Sequence, residues 1–146
     1  MPSKKQKMLY RGWSERHNKY IFGGIACDSS GNIYIVPHSL IPILVQRDSV
    51  GQSTGIHDKH NKLIFEGDIV KCLNGELAVV KLGMYRDAEK AQWLYGYLEN
   101  LHGRSEYGWY LQNIKSPSHC TQLMSKTWNY CEIIMNSNFN RNYLTL

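Results

Sequence analysis

Apolar residues along the chain come in short runs that alternate with polar ones, and turn-forming clusters punctuate them every few positions. Residues 20–27 (YIFGGIAC) and 33–36 (IYIV) are two β-rich runs around Asp28, Ser29, Ser30, Gly31 and Asn32. This spacing predicts a hairpin in which Gly31 takes the positive φ that a short loop needs. Pro37 and Pro42 bracket the next apolar stretch, so residues 37–42 are expected to be an irregular crossing or an edge segment. Residues 69–73 (IVKCL) and 76–82 (ELAVVKL) flank Asn74 and Gly75, the pair most favoured in a two-residue type I′ turn. That turn would set Cys72 opposite Leu77 and Val70 opposite Val79, with these four side chains on one core-facing side.

Further along, residues 84–91 suit a short helical turn. Residues 92–98 and 106–111 are aromatic runs that predict a second hairpin. Ser116 and Pro117 have the form of an N-cap and first helical residue. Cys120, Leu123, Met124 and Trp128 follow at helical spacing, predicting one short amphipathic helix. Residues 130–134 return to a strand pattern, and the asparagine-rich 136–146 form a tail. The expectation is a mainly β fold with one or two short helices.

With 42% hydrophobic and 20% charged residues, the 146-residue chain has enough apolar material for a real core and is neither disordered nor collagen-like. Its longest apolar stretch, residues 39–45, is far short of a membrane span, and no apolar run typical of a secretory signal follows the basic start. Cytoplasmic residence is therefore expected. The net charge of +5 comes entirely from the first twenty residues. There Lys4, Lys5, Lys7, Arg11, Arg16 and Lys19 face one acid, Glu15, and the remainder is balanced. This divides the chain into a basic arm, residues 1–10, and a single β domain, residues 11–146. The four cysteines form no C-x-x-C pair and are expected to be reduced, small and mostly buried.

Residues 52–71 (QSTGIHDKHNKLIFEGDIVK) carry the most specific local pattern. Asp58 to Lys62 has the composition of a turn between strands, with Asn61 suited to a left-handed backbone. Gly67, between Glu66 and Asp68, suits a bulge or sharp bend into the next strand. Such E-G-D-x-V corners also occur in SH3-like small barrels, where they are a device of the fold and not of an activity. The positions Gln52, Thr54, Gly55, Asp58, Lys59, Lys62, Ile64, Phe65, Glu66, Gly67, Asp68, Ile69, Val70 and Lys71 resemble the signature of the YopX family of phage and prophage proteins. Ser53, His57, His60 and Asn61 depart from it. The opening LYRGWSERHNKYIFGG and the closing Glu132, Ile133, Ile134, Met135 and Asn136 are similar to the family's first and last motifs, although Met135 and Arg141 depart from the latter. The resemblance implies a folded pseudobarrel of mixed strands and a family with no established activity.

The candidate chemistry is sparse. His57, Asp58 and His60 could supply metal ligands, but Lys59 interrupts them and no fourth ligand is near, so a structural turn is the stronger reading. His119 and Cys120 with Cys131 could form a thiolate site, yet Cys120 falls on the proposed helix's apolar stripe. Glu66 and Asp68, two apart across a bend, suit turn capping or ion pairing better than acid–base catalysis. No nucleophile-elbow, zinc-protease, P-loop or dinucleotide string is present. No catalytic, cofactor or metal residue is expected. The leading expectation is a non-enzymatic binding or assembly module that acts through protein contacts, including contacts between its own copies. The alternative is a nucleic-acid-binding module that uses Lys4, Lys5, Lys7 and Arg11 with the aromatic face of Trp93, Tyr95 and Tyr97, across from Tyr107 and Trp109.

Overall fold

The computed structural model describes residues 9–87, 105–122 and 131–136, with Met135 and Asn136 described by their backbone alone. Among the described residues there are eleven strands: β1 (Tyr10–Ser14), β2 (Lys19–Cys27), β3 (Ile33–Val36), β4 (Ile43–Val45), β5 (Gly51–His57), β6 (Leu63–Phe65), β7 (Asp68–Lys71), β8 (Leu77–Tyr85), β9 (Glu106–Asn113), β10 (Cys120–Gln122) and β11 (Glu132–Asn136). The mainly β expectation holds. In place of the expected short helices, the described residues contain one 3-10 turn, Arg47–Ser49. Two sheets form, ordered β4-β3-β2-β1-β5-β6 and β10-β9-β8-β7-β11, and neither closes into a barrel. Both sheets are antiparallel rather than mixed, and among the described residues one isolated parallel bridge joins Asp87 and Cys120. No helix of the described residues is long and apolar enough to cross a membrane.

The chain divides into two compact units, the first running to Gly55 and also taking in Leu63–Phe65, the second comprising Ile56–Lys62 and everything from Glu66 onward. In the first unit β2 and β3 form the expected hairpin, pairing Cys27 with Ile33, and Gly31 has φ of 85°. The Asp28 carboxylate accepts the N–H groups of Ser30 and Asn32, which fixes the loop. β1 is a strand that the hydrophobic pattern does not mark, because Arg11 and Gly12 interrupt its apolar positions. Gly12 is there for space: a Cβ on it would lie 2.6 Å from Cγ2 of Val45. The sheet coils strongly enough that β4, three places away in strand order, packs on β1, and the Gln46 N–H donates to the Trp13 carbonyl at 2.9 Å. Ile21, Ile35 and Val45 form the core inside this curl, with Tyr10, Ile33, Ile43 and Val50 packed around them.

In the second unit the β7–β8 hairpin differs from expectation by one register step. Ile69 pairs with Val79, Val70 with Ala78 and Lys71 with Leu77. The loop has three residues, not two: Cys72 N–H donates to the Glu76 carbonyl, Gly75 N–H to the Cys72 carbonyl, and Gly75 has φ of 85°. Asn74 is not left-handed, and its side chain instead accepts the Glu76 N–H at 3.0 Å. This is a type I turn with a glycine bulge, which uses the same Asn-Gly dipeptide as the type I′ turn. The slip reassigns faces, placing Val70 with Ala78 and Ile69 with Val79. All four are buried, so the alternation along the sequence had no polar side by which to fix the register.

β8 runs on through Met84 and Tyr85, where a helical turn was expected, and pairs with β9 from Ala78–Asn113 to Tyr85–Glu106. Arg86 and Asp87 follow it without helix, Asp87 bridging to Cys120, while residues 88–91 of that expected turn and residues 92–98 of the expected second hairpin lie outside the described residues. The helix expected after Ser116 is also corrected. His119 N–H donates to the Ser116 carbonyl at 2.8 Å in a tight turn, and Cys120–Gln122 is a strand on β9. A serine followed by a proline fits the first two positions of a β-turn as well as it fits a helix start, and here the turn prevails. Residues 123–128 of that helix, and the tail beyond 136, lie outside the described residues.

Candidate functional site

Three places gather side chains of chemical interest. The first is the turn of the 52–71 motif. Asn61 is left-handed, with φ of 62°, and Gly67 has φ of 90° at the bend into β7, both as expected. Asp58 is 4% exposed. One of its carboxylate oxygens accepts the N–H groups of His60 and Lys62, each at 2.9 Å, and the other accepts the Ile133 N–H at 3.0 Å. Burial by itself would raise this carboxyl, but the three backbone donors and the nearby His60 outweigh it and hold it below the usual carboxylate range. Glu132 sits above the turn, 3.2 Å from the Lys59 ammonium and 3.2 Å from His60 Nε2. Lys59 and His60 hold its carboxyl low in turn.

The closing motif therefore sits directly on the signature turn, a pairing of residues 75 positions apart that local sequence patterns do not reveal. Other signature positions are structural too. Gln52 pairs with Tyr10, the Thr54 hydroxyl donates to the Ile64 carbonyl at 2.8 Å, and Gly55 has φ of 75°. Ile64, Phe65, Asp68, Ile69 and Val70 are buried, Glu66 is half-buried in the bend, and Lys71 points to solvent.

The second place bears on the nucleic-acid alternative. Arg11 is not free to meet phosphate: it is 6% exposed, with its guanidinium 4.8 Å from the Tyr20 ring centre and 4.9 Å from that of Phe65. Phe22 packs on Phe65 at 5.5 Å, completing an aromatic box around the cation. Lys4, Lys5, Lys7, Trp93, Tyr95 and Tyr97 lie outside the described residues. Tyr107 is exposed and Trp109 half-buried on β9, with Met84 and Leu82 as their partners on β8.

The third is a cleft of about 520 Å3 in the first unit, between β4 with the segment before it and the β1–β2 turn. Ile41, Pro42 and Leu44 form its apolar wall, and Glu15, Arg16 and His17 its polar rim. Ile41 is 67% and Leu44 56% exposed. Leu40, next to this wall, is more exposed still and adopts a left-handed backbone with φ of 63°, a conformation that costs a leucine about 1 kcal/mol. The Gln46 amide donates to the Glu15 carboxylate across one end of the cleft. This surface was missed at the level of sequence. Its signal was the longest apolar run, residues 39–45, which Pro42 interrupts and which leaves only the three-residue strand β4 to bury its side chains.

The cysteines divide as well. Cys120 and Cys131 are buried, Cys72 is partly buried and Cys27 is exposed. Cys131 lies beside Cys72 at the end of the β7–β11 pairing, in a cavity that His119 lines and Cys120 does not, and burial pushes the Cys120 thiol up. Among families of known proteins, the model described as YopX protein matches residues 9–137. No curated protein matches the chain.

Proposed function

The chain belongs to the YopX family, and from that premise we propose that it is a phage- or prophage-derived, non-enzymatic module that works in the host cytoplasm by holding a partner protein in the cleft beside β4. The carrying observation is the set of solvent-facing apolar side chains, Leu40, Ile41 and Leu44, at a 520 Å3 concavity. Isolated exposed apolar residues are ordinary, but three clustered at a cleft with a polar rim have the make-up of a recognition site. Glu15, Arg16 and His17 offer both donors and acceptors. The fitting partner is an extended protein segment that places one apolar side chain in the cleft and satisfies the rim with its backbone.

Selection of a displayed random-peptide library on the full-length protein tests this, followed by calorimetric titration of the enriched peptides. Burial of a leucine-sized side chain is worth about 1.5–3 kcal/mol, so Leu44→Glu or Ile41→Glu should weaken binding about 10- to 100-fold. Circular dichroism should be unchanged in both variants. Peptides that bind both variants as tightly as the parent would refute the cleft, and salt-sensitive binding of oligonucleotides in place of peptides would put the nucleic-acid reading ahead. Sedimentation velocity distinguishes a second copy of the chain from an external partner.

A further inference from the structure

The second unit contains a pair of thiols that the proposed recognition cleft does not use. β11 lies antiparallel on β7 with Glu132 opposite Lys71, and one step along the same register places Cys131 across from Cys72. Residues directly opposite in antiparallel strands have Cα atoms about 4.5–5.5 Å apart, within the range a disulfide spans. Both residues also line one and the same cavity. Their exposure is unequal: Cys131 is 2% exposed and Cys72 only partly buried, and the cavity of about 350 Å3 that both line is shared with Glu76, Asn113, His119 and Thr121. We propose that Cys72 and Cys131 are a redox-active dithiol that reduces small-molecule disulfides of the glutathione class, with Cys72 as the attacking and Cys131 as the resolving residue.

The chemistry follows from the asymmetry. The neighbouring Cys131 lowers the Cys72 thiol, against the opposing effects of burial and Glu76, while Cys72 and burial push Cys131 well up. Cys72 as thiolate attacks one sulfur of R–S–S–R, forming the Cys72–S–S–R bond and releasing RS⁻, which takes up the proton Cys72 gave up. The Cys131 sulfur then attacks the Cys72 sulfur and breaks its bond to SR. The second RS⁻ leaves with the Cys131 proton. Two electrons have passed from the protein to the small disulfide, leaving a Cys72–Cys131 disulfide and two RSH.

The test uses full-length reduced protein carrying Cys27→Ser, which removes the exposed competing thiol. It is treated with oxidised glutathione, quenched with acid and mapped by tryptic mass spectrometry. The expected product is a nearly complete loss of two hydrogen atoms, with peptides 72–81 and 127–141 joined. The Cys131→Ser variant should stop at a glutathione adduct on Cys72, and Cys72→Ser should give neither product. The unsubstituted pair is read directly, so the test does not depend on either serine variant folding. A parent protein that keeps both thiols free, or that accumulates the Cys72 adduct without resolving it, would overturn the proposal.

Discussion

Asp58 is the residue whose loss should be felt most for its size. Its carboxylate ties the β5–β6 turn to β11 through three backbone donors. A hydrogen bond to a charged group is worth about 1.5–3 kcal/mol net, but the His60 and Lys62 donors lie in a turn where water can replace the carboxylate, and the three losses will not add. Asp58→Ala should therefore cost about 3 kcal/mol. Asp58→Asn, which keeps one acceptor oxygen and turns an amide donor toward another donor, should cost about half that. For a protein of this size, with a urea slope of about 2 kcal/mol per molar, the alanine variant's midpoint should fall by about 1.5 M. The pH dependence has a definite sign. The folded carboxyl titrates below its unfolded value of about 3.9, so its contribution is complete above that pH and is lost as pH falls through the lower folded value. The gap between parent and Asp58→Asn measured at pH 7 should accordingly shrink at pH 3. A change under about 0.5 kcal/mol for the alanine variant at pH 7, or a gap that does not narrow in acid, would refute the role assigned to the three donors.

Other outcomes follow from particular contacts. Glu132→Gln removes a solvent-exposed ion pair with Lys59 and alters an exposed contact with His60, so its urea midpoint should match the parent's within error, in contrast to Asp58→Ala directly beneath it. Gly12→Ala drives a methyl group into the side chain of Val45, itself packed against Ile21 and Ile35, and should destabilise by about 1–3 kcal/mol in urea titration. Leu40→Asn places a residue tolerant of the left-handed region at φ of 63° and should raise stability by up to about 1 kcal/mol in thermal melts while weakening peptide capture. A loss of stability would show that the leucine is held by contacts rather than displayed.

What was legible in the sequence was local. The loop at Gly31, the left-handed Asn61 and the bend at Gly67 each follow from one residue's backbone freedom, and each is found at a positive φ. Where a dipeptide serves two geometries, the sequence left the choice open: Asn74-Gly75 and Ser116-Pro117 both took the alternative turn. Register in β7 was undetermined because both of its faces are buried, so hydrophobicity marked no outside. Arg11 illustrates a different limit. Its charge places it with the basic arm, but its position in β1 encloses it among rings supplied by β2 and β6, and that long-range arrangement outweighs composition. The meeting of Asp58 with Ile133, and of Cys72 with Cys131, arises from the β7–β11 pairing, which no local pattern marks.

The assignment of β6 to the first unit, while the residues on either side of it belong to the second, bears on how the protein is made. As the chain leaves the ribosome, the six-stranded sheet stays one strand short until Phe65 has emerged, and the box around Arg11 has no closing wall before then. By that point the segment that starts the second unit has already been synthesised. Neither unit is a contiguous stretch of gene, so neither can be shuffled, truncated or inherited as a simple cassette. A fragment ending at residue 55 would lack Ile64 and Phe65, both almost wholly buried, and should be captured by chaperones and proteases rather than accumulate as a folded half-protein.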